Sequence, residues 1–139
     1  MTLGRLAGIV LFLILLGARL EAVEKPENLA QRAAKSWLKH LDAGKYGQSW
    51  AQSAKVFKTI VAKTKWEESM SGIRKPLGKL VSRKVQSREY SERLSGSPDG
   101  KYVVIKFDTV FEHKTSAVET VTSVLDSDGV WRVSGYYVL

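Results

Sequence analysis

Apolar positions recur at two different spacings along this chain, and the change falls at Gly78. Before Gly78 the spacing is helical. Leu29, Ala30, Ala33, Ala34, Trp37, Leu38 and Leu41 form one stripe at three- and four-residue steps, with Lys35, Lys39 and His40 off it. Asp42 and Gly44 end that helix, glycine being a natural C-terminal stop. Tyr46, Trp50, Ala54 and Phe57 continue at helical spacing and predict a second helix, bent before Lys63. Thr64 and Glu67 have capping-box spacing, so a third helix is expected to be capped by Thr64. Trp66, Met70, Ile73 and Leu77 give it an apolar face, and Pro76 and Gly78 close it.

After Gly78 the period is two. Leu80 to Leu94 reads as a long, mostly polar strand, and Ser95 to Gly100 as a loop. Tyr102 to His113 is the strongest strand, with Val103, Ile105, Phe107 and Phe111 on one face. Lys114-Thr115 is expected to turn the chain into an alternating strand, Ala117 to Leu125. Asp128-Gly129 is a hairpin signal before a last strand, Val130 to Val138. Short connections force antiparallel pairing, because parallel strands need long crossovers. With two-residue turns, Ile105, Val124 and Val133 would stand side by side, and Trp131, Phe107 and Tyr137 would share their face. Helices packed on one side of a four-stranded antiparallel meander make an α+β domain. Gly135 in mid-strand marks a bend, which would leave a concave end.

One apolar run belongs to neither pattern. Thirteen uncharged, mostly apolar residues lie between Arg5 and Arg19. As a helix they would reach about 20 Å, against a hydrocarbon core of roughly 30 Å. That length fits the core of an export signal ending near Ala22, with an uncleaved anchor as the alternative. Leu20 is a poor residue at the −3 position of that cut, but Ala18 lies directly before Arg19. The expected organisation is therefore a signal over 1–22, a flexible lead-in over 23–28 and one α+β domain over 29–139. The expected location is exported, periplasmic or secreted. The chain has no cysteine, so neither a disulfide nor a thiol nucleophile is available, and the core must carry stability.

Charge adds a second asymmetry. Residues 23–139 carry twenty basic and thirteen acidic side chains, and the whole excess lies between Lys55 and Arg93. Such a segment either solvates the protein or attracts anionic partners, and Lys79, Lys84 and Arg88 are its candidate anion-binding residues. No RNA-recognition, zinc-finger or helix-turn-helix pattern accompanies the charge.

Chemistry is sparse. His40 and His113 are the only histidines, and Glu112 and His113 point to opposite faces of a strand, so no metal site is expected. Asp126-Ser127-Asp128-Gly129 lacks the later ligands of a calcium loop. No serine lies in a nucleophile elbow, and no catalytic residue or cofactor is assigned. Trp37, Trp50, Trp66 and Trp131 are either a ligand cage or the core. Arg74, at the end of the third helix, either satisfies the last carbonyls and pairs with a carboxylate or clamps an anion at the concave mouth. Glu119, a lone charge among β-branched residues, is its candidate partner. Arg74, Glu119 and Tyr137 are the candidate ligand-binding residues.

Several of these features occur together in a known family. Trp37, Asp42-Ala43-Gly44 with Tyr46 and Trp50, and Trp66 come first. Arg74 to Gly78 and Arg83 follow, then Ser97 to Gly100 with Tyr102, Phe107, Phe111, Glu119 to Val121 and Trp131 to Tyr136. From about Ala34 onward the chain resembles a bacterial family of exported proteins, domain of unknown function 4019. It departs from the family at Ser95-Gly96, where Pro-Gly is common. The resemblance implies a cystatin-like or nuclear-transport-factor-two-like fold and no established activity. The combined expectation is an exported cell-envelope domain that binds or interacts without catalysis, its partner an envelope protein or anionic polymer. The alternatives are a small enzyme using the concave pocket and an electrostatic binder of anionic envelope polymers.

Overall fold

The computed structural model describes residues 22–139. Residues 1–21 of the expected export signal lie outside the described residues. Helices α1 (Pro26–Asp42), α2 (Tyr46–Ala51), α3 (Lys55–Ile60) and α4 (Lys63–Leu77) precede strands β1 (Leu80–Ser91), β2 (Tyr102–Phe111), β3 (Lys114–Leu125) and β4 (Trp131–Val138). The strands form one antiparallel meander in the order β1-β2-β3-β4. The fold is α+β. No helix of the described residues is long and apolar enough to cross a membrane.

The apolar stripe of α1 packs across all four strands, burying Ala30, Ala34, Trp37, Leu38 and Leu41. Pro26 opens this helix at its first turn, where a missing N–H costs nothing. The helix thus starts three residues before Leu29, inside the segment expected to be a lead-in. It ends as the sequence predicts. Gly44 takes φ +71°, and Gly44 N–H and Lys45 N–H donate to Leu41 O and His40 O at 3.0 and 2.8 Å.

The predicted second helix is two short ones, broken at Gln52-Ser53-Ala54 because Ala54 N–H donates to Val133 O in β4 at 2.8 Å. The expected cap at Thr64 is not formed. Helix α4 begins at Lys63 after Ala62, with no side-chain cap. Pro76 falls in its last turn, and Gly78 ends it at φ +76°. A Cβ at Gly78 would stand 2.8 Å from His113 Cδ2 and 2.9 Å from Glu112 Cβ, so only glycine fits against the β2–β3 turn.

Register is where the sequence expectation fails. The β2–β3 turn is Glu112-His113, not Lys114-Thr115, and Phe111 pairs with Lys114. Ile105 therefore faces Val121, while Val124 pairs with Tyr102 and Val133 with Ser123. The last turn is also not a two-residue one: Asp126 N–H donates to Val130 O, around a loop with Gly129 at φ +80°. An irregularity at Ser134 then shifts β4 by one residue, from Val133↔Ser123 to Gly135↔Thr122. A one-residue slip turns every later side chain over. Tyr136 consequently packs against the core, and Tyr137, expected there, is 53% exposed. Trp131 is half-buried at the core's edge.

The space between helices and sheet is filled. Val103, Ile105, Phe107, Val121 and Val133 meet Trp37, Leu38, Leu41, Phe57, Trp66 and Met70. Three indoles are hydrogen-bonded: Trp37 Nε1–H to Ser49 O and Ser53 Oγ, Trp66 Nε1–H to Ser49 Oγ, and Trp50 Nε1–H to Val61 O. Trp37 and Trp66 lie 5.9 Å apart, and Phe57 meets Trp66 edge-on at 5.0 Å. Trp37, Trp50 and Trp66 are thus built into the core rather than arranged as an open cage.

Candidate functional site

Four elements bring charged side chains to one end of this core. Asp42 comes from the end of α1, Arg74 from the last turn of α4, Arg83 from β1 and Glu119 from β3. Arg83 points inward because it pairs with Thr109 on the helix-facing side of the sheet. Its Nη1 and Nη2 donate to Asp42 Oδ2 and Oδ1 at 2.8 and 2.9 Å, and its Nε donates to Glu119 Oε1 at 2.7 Å. Arg74 Nη2 donates to one of the same oxygens, Asp42 Oδ1, at 2.8 Å. Thr109 Oγ1 and Tyr136 Oη donate to Glu119 Oε1 and Oε2, each at 2.6 Å.

Two guanidinium groups face two carboxylates, so the cluster is neutral. Glu119 is 0% exposed and Arg74 is 5% exposed. Burial alone would raise Asp42, but the hydrogen bonds and charges of Arg83 and Arg74 outweigh it and hold the carboxyl below its ordinary value. Burial opposes the charge on Arg83 too, yet its two carboxylate partners raise its pKa. Burial first, then the Glu119 charge, pushes the Tyr136 phenol upward. A phenol held so firmly neutral is a poor proton source at neutral pH. All four carboxylate oxygens and the three nitrogens of Arg83 are bonded within the cluster, which is the arrangement of a structural ion network; of the Arg74 nitrogens only Nη2 takes part.

Surface depressions touch it without entering. A cleft of about 360 Å³ borders Asp42 and Arg74, and another of about 440 Å³ borders Arg83 and Thr109. Glu119 lines neither.

The sequence-predicted residues separate accordingly. Arg74 and Glu119 share the cluster but do not bond each other: Arg74 takes Asp42, and Glu119 takes Arg83. Tyr137 lies on the opposite face of the sheet, paired with Thr120. Lys79, Lys84 and Arg88 do not converge. Lys79 is exposed at the α4–β1 junction, and exposed Lys84 pairs with Asp108 on the face away from the helices. Arg88 reaches α1, donating to Asn28 Oδ1 and Gln31 Oε1. Sequence reasoning missed Asp42, Arg83, Thr109 and Tyr136 as members of one group. The available signal was Arg83, a charge two positions before Val85 in an alternating strand.

The Asp126–Gly129 turn is occupied by Arg132, which donates to Asp126 Oδ2 and to both oxygens of Asp128 at 2.9 Å. Hydrogen bonds from Arg132 lower Asp128 to about 2. Among the described residues no group of three His, Asp or Glu side chains could hold a metal ion.

No curated protein matches the chain. The family described as "Protein of unknown function (DUF4019)" matches it over residues 33–136, a span that runs from α1 to Tyr136 and includes every member of the ion cluster. The chain belongs to that family.

Proposed function

We propose that this protein is an exported domain of the cell envelope that binds a partner or ligand and does no chemistry. The observation that carries the reading is the filled interior. An enzyme built on this architecture would use the concave space between helices and sheet. Here that space holds Phe107, Phe111 and Glu119, each 0% exposed. The polar groups there form a neutral network in which every oxygen of Asp42 and Glu119 already accepts a hydrogen bond, so neither carboxylate is free to act as a base. The export half of the reading rests on the short apolar run between Arg5 and Arg19. The helix-then-meander order supports the finer cystatin-like or nuclear-transport-factor-two-like assignment.

Fractionation of the producing cell with intact-mass measurement tests location. The expected product lacks residues 1–22 and is found outside the cytoplasm; a cytoplasmic protein retaining Met1 overturns it. Crosslinking in the intact envelope tests the role, the expected result being one reproducible partner or ligand at a defined surface.

A second reading, attraction of anionic envelope polymers, is favoured by the exposure of Lys79 and Lys84. It requires affinity that falls steeply with salt, since the Debye length is about 10 Å at 0.1 M.

A further inference from the structure

Arg74 stands apart among the buried charges. Its Nη2 is bonded to Asp42, but Nε and Nη1 have no hydrogen-bond partner among the described residues. Buried polar groups are paired in roughly nine cases of ten, so two unused donors on one buried side chain call for an explanation. The Phe111 ring, 4.9 Å from the guanidinium carbon, does not supply it: an aromatic face is a weak acceptor.

The explanation lies in what Arg74 borders. The cleft of about 360 Å³ runs between the α1–α2 turn and the α4–β1 junction. Arg74, Lys75 and Lys79 supply three cations along it, and Leu41 and Tyr46 give it an apolar wall. Asp42 also lines it, but its charge is shared between Arg74 and Arg83. The remaining anion, Glu112, shows what the rim accepts. Its Oε1 takes a hydrogen bond from Lys79 N–H at 2.6 Å. The rim is otherwise held by backbone alone, Glu112 N–H to Lys79 O and His113 N–H to Leu77 O, both at 2.9 Å.

We infer that this cleft binds the carboxylate of a small organic acid or of a peptide C-terminus. This names a ligand class for the binding role proposed above and rests on that reading. The incoming carboxylate replaces Glu112 at Lys79 N–H and, as the Glu112 side chain swings out, gains access to an unused N–H of Arg74. Lys79 draws it in, and its carbon body lies against Leu41 and Tyr46. Inorganic phosphate fits less well, because it has no carbon body to lie against Leu41 and Tyr46. Glu112 is thus a resident competitor, a carboxylate of the chain itself occupying the place of the ligand's.

The test is a titration of the full-length protein followed at the Arg74 Nε–H resonance. The probes are benzoate, benzamide, inorganic phosphate, and one short peptide with a free or an amidated C-terminus. Benzoate or the free-acid peptide should move the resonance saturably, and benzamide and the amidated peptide should not. Movement by benzoate alone assigns free acids, and movement by the peptide alone assigns chain ends. Glu112→Gln should tighten binding about three- to tenfold by removing the competitor, and Lys79→Ala should weaken it by a similar factor. Both positions are exposed, so neither variant depends on the core. An Arg74 resonance unmoved by either carboxylate overturns the proposal, as does equal movement by benzamide or stronger binding of phosphate. A failed titration on an exported protein sinks this cleft alone. A cytoplasmic location sinks the envelope reading and leaves the titration standing.

Discussion

Two polar networks are buried in this small domain, and they meet where Trp37 packs 5.5 Å from Tyr136. One is neutral. Indole N–H groups of Trp37 and Trp66 end on Ser49 and Ser53, partners 12 to 17 residues away. The other is ionic. It joins Arg74 and Arg83 to Asp42, 32 and 41 residues away, and Arg83 to Glu119, 36 residues away. The neutral network adds hydrogen bonds to side chains that would be buried anyway for their apolar area. The ionic one removes four charges from water, and their mutual attraction must first offset that desolvation. A well-packed apolar replacement of such a cluster is often no less stable, whereas removing one member strands the rest. The ion cluster ties the ends of α1 and α4 to β1 and β3.

The strongest way to break the contrast is Arg83→Ala. Glu119 then keeps only Thr109 and Tyr136 as donors and has no cation at bonding distance. The expected loss is roughly 3–5 kcal/mol, the range for breaking one side of a buried ion pair. A urea melt measures it, and a loss under about 1 kcal/mol, the scale of surface changes, would show the cluster to be solvated.

Acid attacks the same network without mutation. The folded Asp42 carboxyl lies below its ordinary value of about 3.9 because Arg83 and Arg74 outweigh its burial. Its contribution is complete above about pH 4 and is lost as pH falls through the depressed folded value. Stability should therefore be flat from neutrality down to about pH 4 and fall below it. In Asp42→Asn the drop should be shallower, from a lower plateau. An unchanged acid limb in that variant would assign the acid sensitivity to other carboxylates.

Trp66→Phe tests the neutral network. An aromatic ring stays, smaller than the indole, and the bond to Ser49 Oγ is lost. The expected cost is about 1–3 kcal/mol, that of one buried donor–acceptor pair left incomplete plus a small volume change. A cost matching Arg83→Ala would erase the distinction between the two networks.

The same contrast explains what could be read from the chain. Helical and strand periods were legible because each is set locally: the α1 stripe, the stop at Gly44 and the meander order all follow from neighbouring residues. The ion cluster depends on four elements, and its composition depends on register. Arg74 and Glu119 were visible as odd charges in apolar surroundings. Their true partners, Asp42 and Arg83, read as a helix terminus and as one more charge in a polar strand. Tyr136 was hidden by a single-residue irregularity at Ser134, which no period-two pattern reveals. The turn at Glu112-His113 was hidden similarly, since neither residue is a strong turn former and the pairing is fixed by contacts with Leu77 and Lys79.

The smallest expected effect is the sharpest test of that register. Tyr136 and Tyr137 are adjacent and chemically identical, and the irregularity alone decides which one enters the core. Tyr136 Oη donates to Glu119 Oε2 at 2.6 Å, so Tyr136→Phe leaves a fully buried carboxylate one donor short. That should cost roughly 1–3 kcal/mol, as for hydrogen bonds to charged groups. Tyr137 is 53% exposed and pairs with Thr120 on the far face, so Tyr137→Phe should change stability by less than about 0.5 kcal/mol. Paired urea melts compare them directly. If the two values exchange, β4 runs in the regular register, with Tyr137 in the core. The hydroxyl on Glu119 would then be that of Tyr137. If both are near zero, Glu119 is satisfied without either phenol, and Arg83 and Thr109 suffice to hold it.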